Sequence, residues 1–121
     1  MAQYKPDHHD TPEKKQEELK DRVLLVKDLV NYNESTGASR MIISCRSVNI
    51  TLFPFDENEG LSEHTAPFDA VVTISGGECE VWVPGQTCPI KEGDAIILPA
   101  DIPHALSAVT KFKMSLTIIK E

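Results

Sequence analysis

The chain is short of most features that would mark a specialised class. Its aromatic content is one Trp, two Tyr and four Phe. These residues are not interleaved with Lys or Arg, so the sequence carries no stacking surface for single-stranded nucleic acid. Twelve Lys and Arg face nineteen Asp and Glu, a formal net charge of −7. Such a surface repels a phosphate backbone, and nucleic acid is not an expected partner. No run of 18 or more apolar residues is present, so no transmembrane helix and no membrane partner are expected. The first ten residues, Met1 to Asp10, hold no apolar stretch of the kind a secretory leader needs, and a cytoplasmic location is the expectation. The three cysteines, Cys45, Cys79 and Cys88, are odd in number and lack CxxC spacing. Each lies in or beside an expected strand and reads as a buried or half-buried thiol in a reducing compartment. A Cys79–Cys88 pair across a hairpin is the alternative left open.

A chain of 121 residues makes one domain. At that size a domain buries roughly two thirds of its unfolded surface and needs no disulfide or metal to hold it. Residues 1 to 22 read as a polar tail followed by a short helix, and residues 23 to 121 as the folded domain. His8 and His9 invite a metal reading, but adjacent histidines on a polar tail do not make a preorganised site. Thr11-Pro12 is a helix start, a capping hydroxyl followed by proline at the first helical position. Acidic residues follow in the first turn, where the helix dipole favours them. Leu19 is the lone apolar residue before Val23, so a helix over 12 to 20 has little to bury. Val23 to Val26 is a continuous apolar run, expected as a strand or strand-like arm.

From Ser39 the apolar period becomes two, which predicts strands. They run over Arg40–Cys45, Val48–Phe55, Asp69–Ser75, Glu78–Val83, Gln86–Lys91, Ala95–Leu98, His104–Ala108 and Phe112–Ile119. Pro54 has no amide to donate, so its end of the second strand should be an edge or a bulge. Pro84-Gly85 and Glu92-Gly93 are turns. Many short strands at regular spacing argue an all-β sandwich or barrel.

Gly60 to His104 resembles the cupin superfamily, of the small single-domain, RmlC-like conserved-barrel kind. Gly60, His64, Pro67 and Gly76 fit the first cupin motif; Gly93, Pro99 and His104 fit the second at its spacing. The resemblance covers about residues 40 to 119. It implies a double-stranded β-helix, the jelly-roll barrel, preceded by a short N-terminal helix or arm. It also implies a homodimer, in which the Val23 to Val26 arm lies against the other subunit.

The sequence departs from the family pattern at three places. Ala66 stands where the second histidine of the first motif belongs, Ala70 where the carboxylate belongs, and Asp101 replaces a glycine of the second motif. Two of the four usual metal ligands remain, His64 and His104. Catalytic zinc and facial-triad iron normally take three or more protein ligands. Glu63 and Asp69 should point away from a pocket that holds His64, because side chains alternate along extended chain. Glu57 and Glu59 sit on an acidic loop that can fold over the mouth.

Two readings follow. In the first, His64 and His104 hydrogen-bond a small molecule in the barrel, metal-free or weakly metal-bound. In the second, the chain is a metal-dependent enzyme, an oxygenase or an isomerase, with the same histidines on zinc, manganese, iron or nickel. Ser62 and Thr65 place hydroxyls near His64, but no GxSxG elbow supports a nucleophile.

Overall fold

A computed structural model describes residues 17–32 and 39–121. Nine strands follow in order: β1 Arg40–Ser44, β2 Val48–Phe55, β3 Gly60–His64, β4 Asp69–Gly76, β5 Glu78–Val83, β6 Gln86–Lys91, β7 Ala95–Leu98, β8 His104–Ala108 and β9 Phe112–Ile119. They form a five-stranded sheet of order β1-β2-β9-β4-β7 and a four-stranded sheet of order β3-β8-β5-β6, every pairing antiparallel. This is the expected jelly-roll. Among the described residues no helix is long and apolar enough to cross a membrane.

Period-two alternation places the core between the sheets. Along β4, Ala70, Val72 and Ile74 are buried while Asp69 and Thr73 are exposed. Along β5, Cys79 and Val81 are buried and Glu78 and Glu80 exposed. Phe112 and Met114 of β9 complete the floor, and Phe55 stacks on Phe112 with centroids 4.7 Å apart and planes 14° from parallel. Each such apolar side chain removed from water contributes about 1.5–3 kcal/mol before entropy is counted. β1 reaches β2 no further than Leu52, so Pro54 has β9 alone as a neighbour, as its missing amide requires.

Leu52 and Val30 are buried outside this interior cluster. Leu52 alternates with Phe53 and so faces the outer side of the larger sheet. The segment before β1 is tied to that side. The Arg40 guanidinium donates to the Leu29 carbonyl at 3.4 Å, the Lys113 ammonium donates to the Lys27 carbonyl, and Lys113 sits 4.8 Å above the Tyr32 ring.

One expectation about the N-terminal region changes, and another lies largely outside the described residues. Val23 to Val26 is not a strand: it leads into a single 3₁₀ turn, Val26–Asp28, closed by bonds from the Asp28 and Leu29 amides to the Leu25 and Val26 carbonyls. Four apolar residues in a row carry no alternation to present to a ladder, and the turn-forming Asp28 follows directly. Val23 and Leu25 are left 93% and 68% exposed. The expected helix over 12 to 20 lies largely outside the described residues, as do His8 and His9. What is described of it is helical at Glu17 and Glu18 and turns away at Asp21, whose φ is 61°.

Candidate functional site

His64 ends β3 and His104 begins β8, and the two are cross-strand partners. Period-two alternation alone would not bring their rings together. Leu106 is buried in the core, which places His104, two residues earlier, on the inner side. Leu61 pairs with Leu106 and packs on the same core, yet His64 lies three residues further along, an odd spacing that should send it outward. The register shifts by one residue between Leu61 and His64. This bulge in β3 turns His64 back to the inner side. Gly60 sits just before it, where a Cβ would overlap the Leu106 carbonyl, so the close approach of β3 to β8 requires glycine there.

The His104 side is set by a tight loop. Asp101 has φ 66°, the left-handed region, at the position where the family pattern has glycine. Asp is among the few side chains that enter this region at modest cost. Its amide donates to the Ala66 carbonyl at 2.7 Å, and the neighbouring Ala100 amide donates to the Asp69 carboxylate at 2.8 Å. The two histidine-bearing segments are thus laced together at adjacent amides.

The rings meet edge to face, with centroids 4.3 Å apart and Nε2 atoms 3.1 Å apart. Each Nδ1 lies against the carbonyl oxygen of the residue two before it: Ser62 at 2.8 Å for His64, Ile102 at 3.1 Å for His104. A carbonyl oxygen only accepts, so in both rings Nδ1–H is the donor and Nε2 is left with its lone pair. Two lone pairs therefore converge at hydrogen-bond distance, an arrangement that calls for something positive between them. His104 is buried and His64 exposed. Burial, with His64 adding to it, holds His104 below the ordinary histidine value of 6.5, against the opposing bond to the Ile102 carbonyl.

A proton satisfies the pair as Nε2–H···Nε2. A first-row metal ion also fits one edge of its coordination sphere here, since two bonds of about 2.0–2.1 Å meeting between a right angle and the tetrahedral angle span about 2.8–3.4 Å. The Nδ1 bonds are of the kind that orient metal-bound histidines. Neither Asp69, expected to point away, nor Glu59 of the acidic loop joins the pair. The Asp69 carboxylate is engaged by Ala100, and Glu59 accepts from the Asp56 amide at 2.7 Å. Among the described residues no group of three or more His, Cys, Asp or Glu converges as a metal site. Ala70 is buried in the core opposite Leu98 and Ile118. Trp82 lies opposite Thr87 and Ala105 and is half-buried. Cys79 and Cys88 are both free thiols, and Cys88 faces Val81 rather than Cys79.

Sequence reading missed the Ser62 and Ile102 carbonyls, which no residue type announces. It also missed Asp69 as the anchor of the second loop. An acidic residue at a strand start, facing a loop with free amides, is the signal that marks it.

The pattern of residues and the fold agree with known proteins. A family model described as the cupin domain matches residues 51–120. A conserved protein of unknown function from Streptococcus pyogenes is 35% identical, with a TM-score of 0.76, over 84% of this chain and 89% of that one. A cupin superfamily protein from Desulfitobacterium hafniense is 25% identical, with a TM-score of 0.78, over 84% of this chain and 94% of that one. A cupin 2 conserved barrel domain protein from Leptotrichia buccalis is 35% identical, with a TM-score of 0.71, over 78% of this chain and 46% of that one. No curated protein matches the chain. With its two-sheet jelly-roll and the family match across β2 to β9, the chain belongs to the cupin family.

Proposed function

We propose that this cupin domain binds a small molecule at the paired Nε2 atoms of His64 and His104. The observation that supports the reading is their convergence at 3.1 Å with both Nδ1 atoms committed to backbone carbonyls. Where the pair takes one proton, burial disfavours charge on the His104 ring, and the proton lies along the line between the two Nε2 atoms. The pair then offers a ligand a single localised positive charge at the edge of an apolar interior, which suits a small organic anion. Long-range proton–nitrogen NMR during titration with a panel of small carboxylic acids tests this. Both Nε2 signals should move together on binding, and His64→Gln should abolish the shift. Ligand shifts confined to other residues would overturn the reading.

A metal-dependent enzyme is the second reading, favoured by the separation of the two nitrogens. A bound divalent ion would supply Lewis-acid chemistry. The chain's own part would be to present two oriented imidazoles.

We propose further that the protein is a cytoplasmic homodimer. The three cysteines among the described residues are free thiols, which suits a reducing compartment. On the outer side of the larger sheet, Ile43, Ile50, Thr117, Val71 and Ile97 stand side by side across all five strands. The end members Ile43 and Ile97 are 44% and 67% exposed. An uncharged, branched row of this kind packs well face to face on a second sheet. Ile97→Lys should convert a dimer to a monomer in sedimentation; a monomeric wild type would refute the dimer.

A further inference from the structure

We infer that the anion held at the His64–His104 pair carries a second acidic group, and that Lys120 selects for it from the opposite lip of the barrel. This rests on the reading of the pair as a small-acid site. Alternation fixes what faces the open mouth. Leu52 lies on the outer side of the larger sheet, so Asn49, Thr51 and Phe53 of β2 face inward. Their neighbours across the ladder are Ile118, Leu116 and Met114 of β9. The Lys120 amide donates to the Ser47 carbonyl at 2.7 Å, one pair beyond Val48 and Ile119, so the ladder and its alternation continue to Lys120. Its side chain therefore leaves the backbone on the inner side. There its ammonium donates to the Asn49 side-chain oxygen at 3.2 Å.

Burial falls toward this end of the barrel. Phe112 and Met114 of β9 are buried, whereas Leu116, Ile118 and Lys120 are half-buried. On β2, Phe55 is buried and Thr51 and Asn49 are half-buried. The interior is packed solid beside the Asp56–Glu59 loop and opens at Asn49 and Lys120. β3 runs from that same loop to His64, so the histidines also lie toward the open end. Among the described residues Lys120 has no carboxylate partner; what it bonds is a neutral amide. A half-buried ammonium in neutral company is offset by an anion from solution. Counted from the shared loop at about 3.3 Å per residue, Asn49 stands about 20 Å along β2 and His64 about 13 Å along β3. With side chains reaching inward from sheets about 10 Å apart, the histidine nitrogens and the Lys120 ammonium are separated by on the order of 10 Å. Two charge-assisted hydrogen bonds of about 2.8 Å take up half of that, which leaves a chain of about two or three carbons between the acid groups. Leu116 and Ile118 line the space where those carbons would lie. The ligand class is therefore a short aliphatic diacid.

The experiment uses the full chain with His8→Ala and His9→Ala, labelled with nitrogen-15, so that the tail histidines add no signal. The probes are succinate and glutarate, and butanoate and pentanoate, which keep the chain length and lack the second acid. Titration at a pH of about 6.5 keeps the carboxylates ionised. The diacids should bind about tenfold or more tighter than the monoacids, the worth of one hydrogen bond to a charged group. Lys120→Met keeps the stem of the side chain and removes the charge. It should bring the diacids down to the level of the monoacids and leave the monoacids unchanged, which also shows the barrel to be folded. Lys120→Arg should retain the preference. Equal affinity for both classes in the wild type, or loss of both classes alike in Lys120→Met, overturns the inference. In either case monoacids that still move both Nε2 signals leave the ligand-binding reading standing. If no acid of either class moves those signals, the ligand-binding reading fails and this inference fails with it.

Discussion

Lowering the pH from about 6.5 to about 5 charges the histidines of an unfolded chain, while carboxylates with ordinary values near 4 stay largely ionised. Unfolded, the His104 imidazole goes from about half charged to almost fully charged across this range. Folded, it stays neutral to lower pH. His104 is buried and held below 6.5, and a second positive ring would stand 3.1 Å from the first. The unfolded state thus binds up to about one proton more, and stability must rise with pH in this window, by up to about 1.4 kcal/mol per unit. The sign follows from the depressed folded value. The contribution is intact above 6.5 and is lost as pH falls through the lower value of the folded ring. Unfolding entropy of about 2.1 cal/mol/K per residue makes 1 kcal/mol worth about 4 °C for a chain of this length. Acidification to pH 5 should then lower the melting temperature by about 4–8 °C through this pair. Urea or thermal melts of the His8→Ala, His9→Ala background at half-unit pH steps, without added metal, measure it. His104→Gln removes the proton difference and should flatten the slope. An equal slope in that variant, or wild-type stability that is flat across the window, would refute the reasoning.

Two further outcomes are expected. Gly60→Ala places a Cβ against the Leu106 carbonyl, a backbone atom that cannot swing aside, and should destabilise the fold by about 1–3 kcal/mol in chemical denaturation. In thiol titration Cys45, exposed, should react in the native state, whereas Cys79, buried and pushed up to about 11 by burial and by Glu80, should react only on unfolding; equal native rates would contradict the packing described.

Strands with strict alternation were legible from residue types alone. Val48–Phe55, Glu78–Val83 and Phe112–Ile119 begin and end where the period does. β3 was not. Gly60 to His64 holds one apolar residue, and its bulge breaks the period on which strand reading rests. Val23 to Val26, expected as a strand or a strand-like arm, is no strand: it runs exposed into a local turn at Val26–Asp28. The two histidines were legible as a pair through motif spacing, and Asp101 as a departure from it. What holds them in place was not. The carbonyls of Ser62 and Ile102 belong to the backbone and leave no mark in the residue types. The left-handed turn at Asp101 explains why the family pattern has glycine there, and Asp can replace it because it is among the few side chains that enter this region at modest cost.

The single-residue shift in β3 makes the chemistry a matter of parity. Running β3 in unbroken register from Leu61 to His64 leaves every motif residue in the sequence and both sheets intact, but turns His64 to the outer side of the smaller sheet and leaves His104 alone on the inner side. Such a change would silence the pair without unfolding the protein. A cupin whose residues match at His64 and His104 but whose strand runs unbroken at this point would then carry the letters of the site without the site. In this barrel, how many residues lie between two landmarks decides as much as which residues they are.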